Sequence, residues 1–556
     1  MKKFTNFLFV AIMATMVIAC SGDYEQYVPE LPEVPTEAIS FTEDELRVLT
    51  QMRNPRICID EATGIALDAL DMFGGGISTR SGQARTIANV KALQSEPTTR
   101  MATRSTDGGD VPVQIPDTVA FIFNFADDEG FVIVSADIRI TSPVLAFVEN
   151  GYLNVNEELD HPGLAIFFEG LEEYIEYSII ESERLRAELI AGIMERLGKD
   201  DEPTTRWAQN CPSCGSPPGW CWCPCPICWQ PPGWCWCPPS CCCFGGSWTI
   251  TEATTNVLTP WTNVVRGPLL PVEWCQIFPF NHQVPLLCNR PDRPDFAGRA
   301  PTGCVATALA KIMAFHRHPA QLDGRAIDWN RLRNFTAIPG RHRGITGTQG
   351  TRFWWDQQNH LNLEQIWFRD NVSFLMWRVG VGINTNYRCD GSGASMSNAI
   401  AFLRRVGYTS DNQTDFNTNA VVASLNNNRP VLISGYSSRT RNTFLGITIG
   451  WTYSGGHAWV VDGHLRQHRT ISTTFRTYQV FSNGQRILID TWTTAPTTQW
   501  SSTFLHNDWG WHSSRNGFFV AGSFDSNRAP AHASNTRSQQ PHNYQFRVRV
   551  FNNIRR

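Results

Sequence analysis

The sequence predicts an α+β protein in two folded parts, and three observations carry that expectation. Strand-like runs at 119–147 are followed by helical periodicity at 162–197. A stretch dense in Cys, Trp and Pro then breaks the chain at 207–250. Residues 251–556 are rich in Trp, Asn, Arg and Thr, with short strand signals and one clear helix. The length of 556 residues, with 42% hydrophobic and 18% charged residues, suits two or three globular domains. A net charge of -4 without a long basic run argues against nucleic acid as a partner.

The N-terminus reads as an export signal. Lys2 and Lys3 precede an apolar run from Phe4 to Ala19, too short and too soon ended for a membrane span. The run closes on Val17-Ile18-Ala19-Cys20, which resembles a bacterial lipobox, so 1–20 is expected to be a lipoprotein signal with Cys20 as the lipid attachment site. The plainer alternative is an ordinary signal peptide with an incidental cysteine. Residues 21–40, with Pro29, Pro32 and Pro35, read as a tether. The expected setting is the outer membrane or cell surface, held by the lipid anchor, with release after processing.

Thr42-Glu43-Asp44-Glu45 is a capping-box pattern opening a helix with Leu46, Leu49 and Met52 on one face, ending before Pro55. The Gly-, Ser-, Thr- and Arg-rich residues 74–110 read as a loop. Strands are expected at 119–125, 131–134 and 143–147, with a turn at 127–130. From Pro162 to Leu197, Phe167, Leu171, Tyr174, Ile175, Leu189 and Ile193 recur at helical spacing, giving one long helix or two in tandem.

Eleven of the 17 cysteines lie between Cys211 and Cys243, where a Pro-Pro-Gly-Trp-Cys-Trp-Cys-Pro unit occurs at 217–224 and again at 231–238. An odd number cannot pair wholly within the segment. Cys211-x-x-Cys214 and Cys225-x-x-Cys228 have zinc-like spacing, but the Pro and Trp density favours a disulfide-bearing or structural spacer. No metal site is expected.

The chemistry concentrates in four later elements. Pro301-Thr302-Gly303-Cys304 feeds a helix whose Val305, Ala308, Leu309 and Ile312 form a buried face, with Thr302 placed to cap it. Cys304 falls off that face in the first turn, where free N–H groups and the helix dipole favour a thiolate. Alone, it would be read as a small buried apolar residue. The second element is Gly455-Gly456-His457-Ala458-Trp459, in which an imidazole opens an apolar strand 153 residues after Cys304. The third, Asn507-Asp508-Trp509-Gly510-Trp511, offers a carboxylate to orient that imidazole, with indoles to shield the bond. The fourth, Trp274-Cys275-Gln276, offers an amide to an oxyanion.

In this order the elements resemble the streptopain family of cysteine peptidases, secreted bacterial members of the papain superfamily. The resemblance covers roughly 260–556 and is strong from Gly303-Cys304-Val305-Ala306-Thr307-Ala308 through His316, at Gly456-His457-Ala458 and at Trp509-Gly510-Trp511. Weaker echoes are Asn428–Val431 and Gly391-Ser392-Gly393-Ala394-Ser395, the latter like a substrate wall. The segment 119–147, with Gly130-Phe131-Val132-Ile133-Val134-Ser135-Ala136-Asp137, looks like that family's inhibitory prodomain.

The resemblance implies a papain-like catalytic domain of two subdomains at 251–556, a helical part bearing Cys304 and an antiparallel sheet bearing His457. It implies an α+β prodomain at 41–206 that inhibits in cis. It also implies a broad-specificity endopeptidase acting on proteins or peptides, with an apolar preference just N-terminal to the scissile bond. Cys304 is then the nucleophile, His457 the base, Asp508 the orienting residue and Gln276 the oxyanion donor. Ser392, Gly393, Ala394, Gly456, Trp509 and Trp511 are the expected substrate contacts. No cofactor is implied. The family usually carries Asn where this chain has Asp508, and the spacer and an insertion at about 464–500 have no counterpart in it. His316 and His318 are expected as helix C-terminal dipole partners, and His282, His464, His506 and His512 as surface or supporting groups. Two rival functions are a catalytically weak surface binding or inhibitor protein on a peptidase fold, and a transglutaminase-like acyltransferase.

Overall fold

The computed structural model describes residues 55–74, 85–94, 98–102, 111–140, 142–154, 161–198, 248–288, 296–335, 360–444, 447–480, 485–512, 515–525 and 548–556. The signal, the tether, the helix expected at 42–52 and the cysteine-rich spacer lie outside them. Helix α1 (Ile59–Gly74) presents Ala62, Ala66, Ala69 and Phe73 to the core. Sequence reading passed over it because three of those four residues are alanines, which make a weak apolar stripe. Four strands of the main sheet follow: β1 (Ile87–Gln94), β2 (Thr118–Phe125), β3 (Phe131–Ser135) and β4 (Val144–Val148). The loop expected at 74–110 therefore contains two strands among its described residues: β1, paired antiparallel to β2, and Thr98–Ala102, paired antiparallel to Val111–Ile115. One continuous helix, α2 (Pro162–Gly198), comes next. Proline suits its first turn, and the His161 Nδ1 caps it by accepting the Leu164 N–H at 3.2 Å.

The later part supplies α3 (Cys304–His316), α4 (Leu363–Gly382) and α5 (Met396–Arg405). It also supplies β5 (Val431–Phe444), β6 (Ile447–Val480), β7 (Phe504–Asp508), β8 (Gly517–Val520) and β9 (Arg549–Phe551). The insertion expected at 464–500 is the far end of β6 with two partner strands, Arg486–Thr493 and Thr497–Trp500.

The two parts share one antiparallel sheet. Its order runs β1-β2-β3-β4-β8-β7-β6-β5-β9, and the junction is β4 against β8, with Val148 opposite Gly517 and Phe147 opposite Phe518. Side chains alternate along β6, so successive residues enter different cores. Ala458 and Val460 join the core built around α3 and α4. Trp459 and Val461 join the core shared with α1, α2 and β2–β4. Among the described residues no helix is long and apolar enough to cross a membrane.

Candidate active site

Cys304 begins α3 and is partly buried. The turn before it needs glycine: Gly303 has φ +91°, and a Cβ there would lie 2.9 Å from the Ser392 carbonyl oxygen. Thr302 does not cap the helix, contrary to expectation. Its hydroxyl meets that of Thr307 at 2.8 Å, and Thr307 also donates to the Gly303 carbonyl at 3.0 Å. The Thr302 N–H donates to the Gln276 carbonyl at 2.8 Å, which fixes the Gln276 loop beside the nucleophile. The Gln276 side chain is buried there. Burial pushes the Cys304 thiol up, and the backbone N–H groups of Ala458, Val305 and Cys304 itself pull it down less strongly. The expected helix-terminus stabilisation is present but outweighed.

His457 lies at the buried start of the apolar part of β6, its ring parallel to that of Trp459 at 5.9 Å. Its Nε2–H donates to the Trp509 carbonyl at 2.9 Å. In a neutral ring this leaves Nδ1 as the bare, basic nitrogen. Burial lowers the His457 pKa to about 4, against a smaller upward pull from that carbonyl. Among the described residues no hydrogen bond joins Cys304 to His457; the thiol rests with α3 and Ala458, and the imidazole with Trp459. Burial thus favours a neutral thiol and a neutral imidazole.

Asp508 does not orient His457. Its Oδ1 accepts from Lys311 Nζ at 2.6 Å and from the Gly510 N–H at 3.0 Å. The orienting acceptor is the next residue's backbone carbonyl, which residue type alone cannot reveal. Lys311 was missed as well, although a lysine within the run Ala308-Leu309-Ala310-Lys311-Ile312-Met313 is the one charge in a buried helix and could have been flagged.

The loop carrying Gln276 is tied to the Trp511 loop by a second thiol–imidazole contact. Cys275 Sγ lies 2.9 Å from His512 Nε2, while His512 Nδ1 donates to the Glu273 carbonyl at 3.2 Å. On the other side, a Cys288–Cys389 disulfide anchors the 388–394 loop. Ser392 is buried and accepts the Arg388 N–H at 3.2 Å; Gly393 is exposed and Ala394 half-buried. This loop flanks Gly303, where a substrate wall was expected. Gly456 is exposed beside Tyr436.

Trp509 is not available as a cleft lining in this state. It is fully buried, packed on Trp459, Phe519 and His457, and α2 closes over it. A Cβ on Gly163 would lie 2.2 Å from the Trp509 ring, so only glycine permits the contact. Trp511 is half-buried between the two cores. His161 stands edge-on to Trp509 at 6.1 Å. Burial holds His161 neutral, and Arg515 and His457 disfavour its charge further.

Of the histidines expected at the surface or as supporting groups, His464, His506 and His512 are buried and so fall under the second alternative. His316 is pushed down to about 4 by burial and so brings no charge to the end of α3. His318 Nε2 donates to the Val406 carbonyl at 2.8 Å. His506 bridges the two parts: its Nδ1 is 2.5 Å from Asp462 Oδ1, and its Nε2 stands 3.4 Å from Glu149 Oε1. Burial opposes its charge, but Asp462 and Glu149 together raise its pKa well above the usual value.

Cys304 at the N-terminus of α3, packed on an antiparallel sheet that presents His457, is the arrangement expected of a papain-like fold. Residues 274–519 match the Peptidase C10 family, and residues 78–175 match the Spi protease inhibitor family. The chain thus carries a Peptidase C10 domain, the streptopain and interpain family, behind a Spi-like prodomain. It is 25% identical over 271 residues to streptopain of Streptococcus pyogenes serotype M28, and likewise to that of serotype M1. Each match takes in 45% of this chain and spans 53% of the curated relative. Among solved structures, a Prevotella intermedia prointerpain A fragment aligns with 82% of this chain and 98% of its own, at 14% identity and a TM-score of 0.37. Active Prevotella intermedia interpain A aligns with 52% of this chain and 94% of its own, at 18% identity and a TM-score of 0.29.

Proposed function

We propose that the chain is a cysteine endopeptidase made as a latent precursor, its N-terminal region holding the base away from the nucleophile. The observation that carries this is that, among the described residues, no hydrogen bond joins Cys304 to His457, while the His457 ring packs on Trp459 and on Trp509, the indole that α2 covers. Departure of α2 uncovers Trp509 and lets the imidazole bring Nδ1 to the thiol while its Nε2–H stays on the Trp509 carbonyl. His457 then takes the Cys304 proton, and the thiolate attacks a peptide carbonyl. The Gln276 side-chain N–H and the Cys304 backbone N–H receive the oxyanion. The imidazolium protonates the leaving amine, and water hydrolyses the thioester.

Protein substrates bind in extended form, with an apolar side chain at the 391–395 wall. The chain is exported, anchored through Cys20, and cut near Arg206 or within the 207–250 spacer. Glu-Pro-Thr-Thr-Arg occurs at 96–100 and again at 202–206, a polar sequence of the kind proteases nick.

To test this, the purified chain is incubated in reducing buffer with casein, with and without an epoxide-type cysteine-peptidase inhibitor, and the labelled residue is read by mass spectrometry. Hydrolysis, labelling at Cys304, and loss of both in Cys304→Ser are expected. Labelling elsewhere, or full hydrolysis by Cys304→Ser, rejects the nucleophile. Folded chain that binds casein without cutting it supports a surface binding protein instead. Amine incorporation without net cleavage indicates an acyltransferase.

A further inference from the structure

Lys311 is fully buried, seven residues beyond Cys304 on α3. Two helical turns return a side chain to the same stripe, so Cys304, Thr307 and Lys311 lie along one line of the helix. The turn at 508–510 runs beside that line. A Cβ on Gly510 would sit 3.5 Å from Thr307 Cγ2, and Asp508 Oδ1 lies 2.6 Å from Lys311 Nζ. The same oxygen accepts the Gly510 N–H at 3.0 Å, while the Trp509 N–H donates to Asn516 Oδ1 at 3.1 Å. Between these fixed points the Trp509 carbonyl receives His457 Nε2–H at 2.9 Å.

We propose that Lys311 is a positioning residue for the peptidase reaction: bound to Asp508, it ties the nucleophile's helix to the turn whose Trp509 carbonyl holds the base. The proposal rests on the peptidase reading above. A buried ion pair contributes little net stability compared with apolar residues of the same size. What this pair supplies is register, because one contact joins the two elements that carry the reacting groups.

The pair also accounts for the departure at position 508. An asparagine there would accept the Gly510 N–H without a counter-charge. An aspartate buried at this point, with Asp462 of β6 also disfavouring its charge, needs a cation to stay ionised. Asp462 itself is engaged by His506 of β7, with Glu149 of the inhibitor-like part beyond, which leaves Lys311 as the ammonium bonded to Asp508. Burial raises the Asp508 pKa, and Lys311 is the main influence opposing that rise.

The test uses the full chain, allowed to process in reducing buffer, with peptide hydrolysis and Cys304 alkylation followed against pH. Lys311→Met is expected to lower kcat by ~100-fold with KM nearly unchanged, the cost of misplacing catalytic groups by about 1 Å. Its acid limb should move to higher pH as Asp508 loses its partner. Asp508→Asn alone should lose activity similarly, because it strands a buried ammonium. Lys311→Met/Asp508→Asn removes both charges, keeps an acceptor for the Gly510 N–H, and should recover most of the rate.

The proposal is overturned if Lys311→Met retains half or more of the wild-type kcat, or if the double variant is no better than the worse single one. Should Lys311→Met fail to fold, the double variant against Asp508→Asn still decides. So does ¹⁵N-imidazole NMR of the wild-type chain, where a His457 proton on Nδ1 rather than Nε2 would count against it. Wild-type chain that neither hydrolyses nor labels at Cys304 removes the peptidase reading and this proposal with it. Wild-type activity together with an indifferent Lys311→Met removes this proposal alone.

Discussion

One face of the central sheet packs entirely on its own domain, whereas the other is completed by the inhibitor-like part. Ala458, Val460 and Leu432 meet Leu309, Ile312 and Met376, all from the later part of the chain. Trp459, Trp509 and Phe519 meet Phe147, Leu164 and Phe167 from the earlier part. Cys304 belongs to the first face and His457, beside Trp459, to the second. In the proposed precursor, latency and stability draw on the same contacts: whatever detaches α2 exposes the apolar surface around Trp509.

The comparison is most directly broken at Gly163. Gly163→Leu drives a side chain into the Trp509 ring, which Trp459 and Phe519 prevent from yielding. Overpacking of this kind costs about 3 kcal/mol at its upper end, or ~100-fold in the detached population. The lag before casein hydrolysis should shorten accordingly, and an unchanged lag would show that α2 does not hold the latent state. The same change made at Gly64, which has nothing within 4 Å of a Cβ, should leave the lag alone.

The first face is sharpened at its disulfide. Replacing Cys288 and Cys389 together by alanine frees the loop that flanks Gly303. A lost disulfide typically costs 2–4 kcal/mol, and about 2 kcal/mol is expected here because the rest of the loop stays packed. Thermal melting should fall while the lag is preserved, and KM should rise more than kcat falls. A lag shortened as much as by Gly163→Leu would mean that the two faces are not independent.

The smallest effect is that of pH. His457 is held near 4 by burial against 6.5 in the unfolded chain, so the unfolded state takes up more protons between those values. Its contribution is complete above pH 6.5 and is lost as pH falls toward 4; at pH 5.5 the loss is about 1.4 kcal/mol. His161 acts in the same direction, its pKa also being lowered by burial. His506 acts oppositely: its raised pKa gives stability that is full below 6.5 and lost as pH climbs through the folded value. Melting temperature should peak between these limits. His457→Gln should flatten the acid side and His506→Gln the alkaline side; a profile indifferent to both would remove the histidines from the account.

Much of the fold was legible because it is local. The helix at Cys304 follows from apolar residues three and four apart, the strands at 118–148 from alternation and a turn, and α2 from its long periodicity. Cys304 and His457 stand out because their residue types are rare and glycines flank them. The alanine-faced α1 and the β1 strand were hidden by weak local patterns.

What the tertiary structure alone decided is the partner of each polar group. Asp508 turned from the imidazole to Lys311, 197 residues away, and Trp509 supplied a carbonyl rather than a ring. Cys288 found Cys389 across 101 residues, and Cys275 found His512 across 237. Periodicity tells which side chains are buried, since burial is set by neighbours along the chain. It cannot tell what a buried charge or carbonyl will meet, because that depends on which distant segments the shared sheet brings within about 3 Å of it.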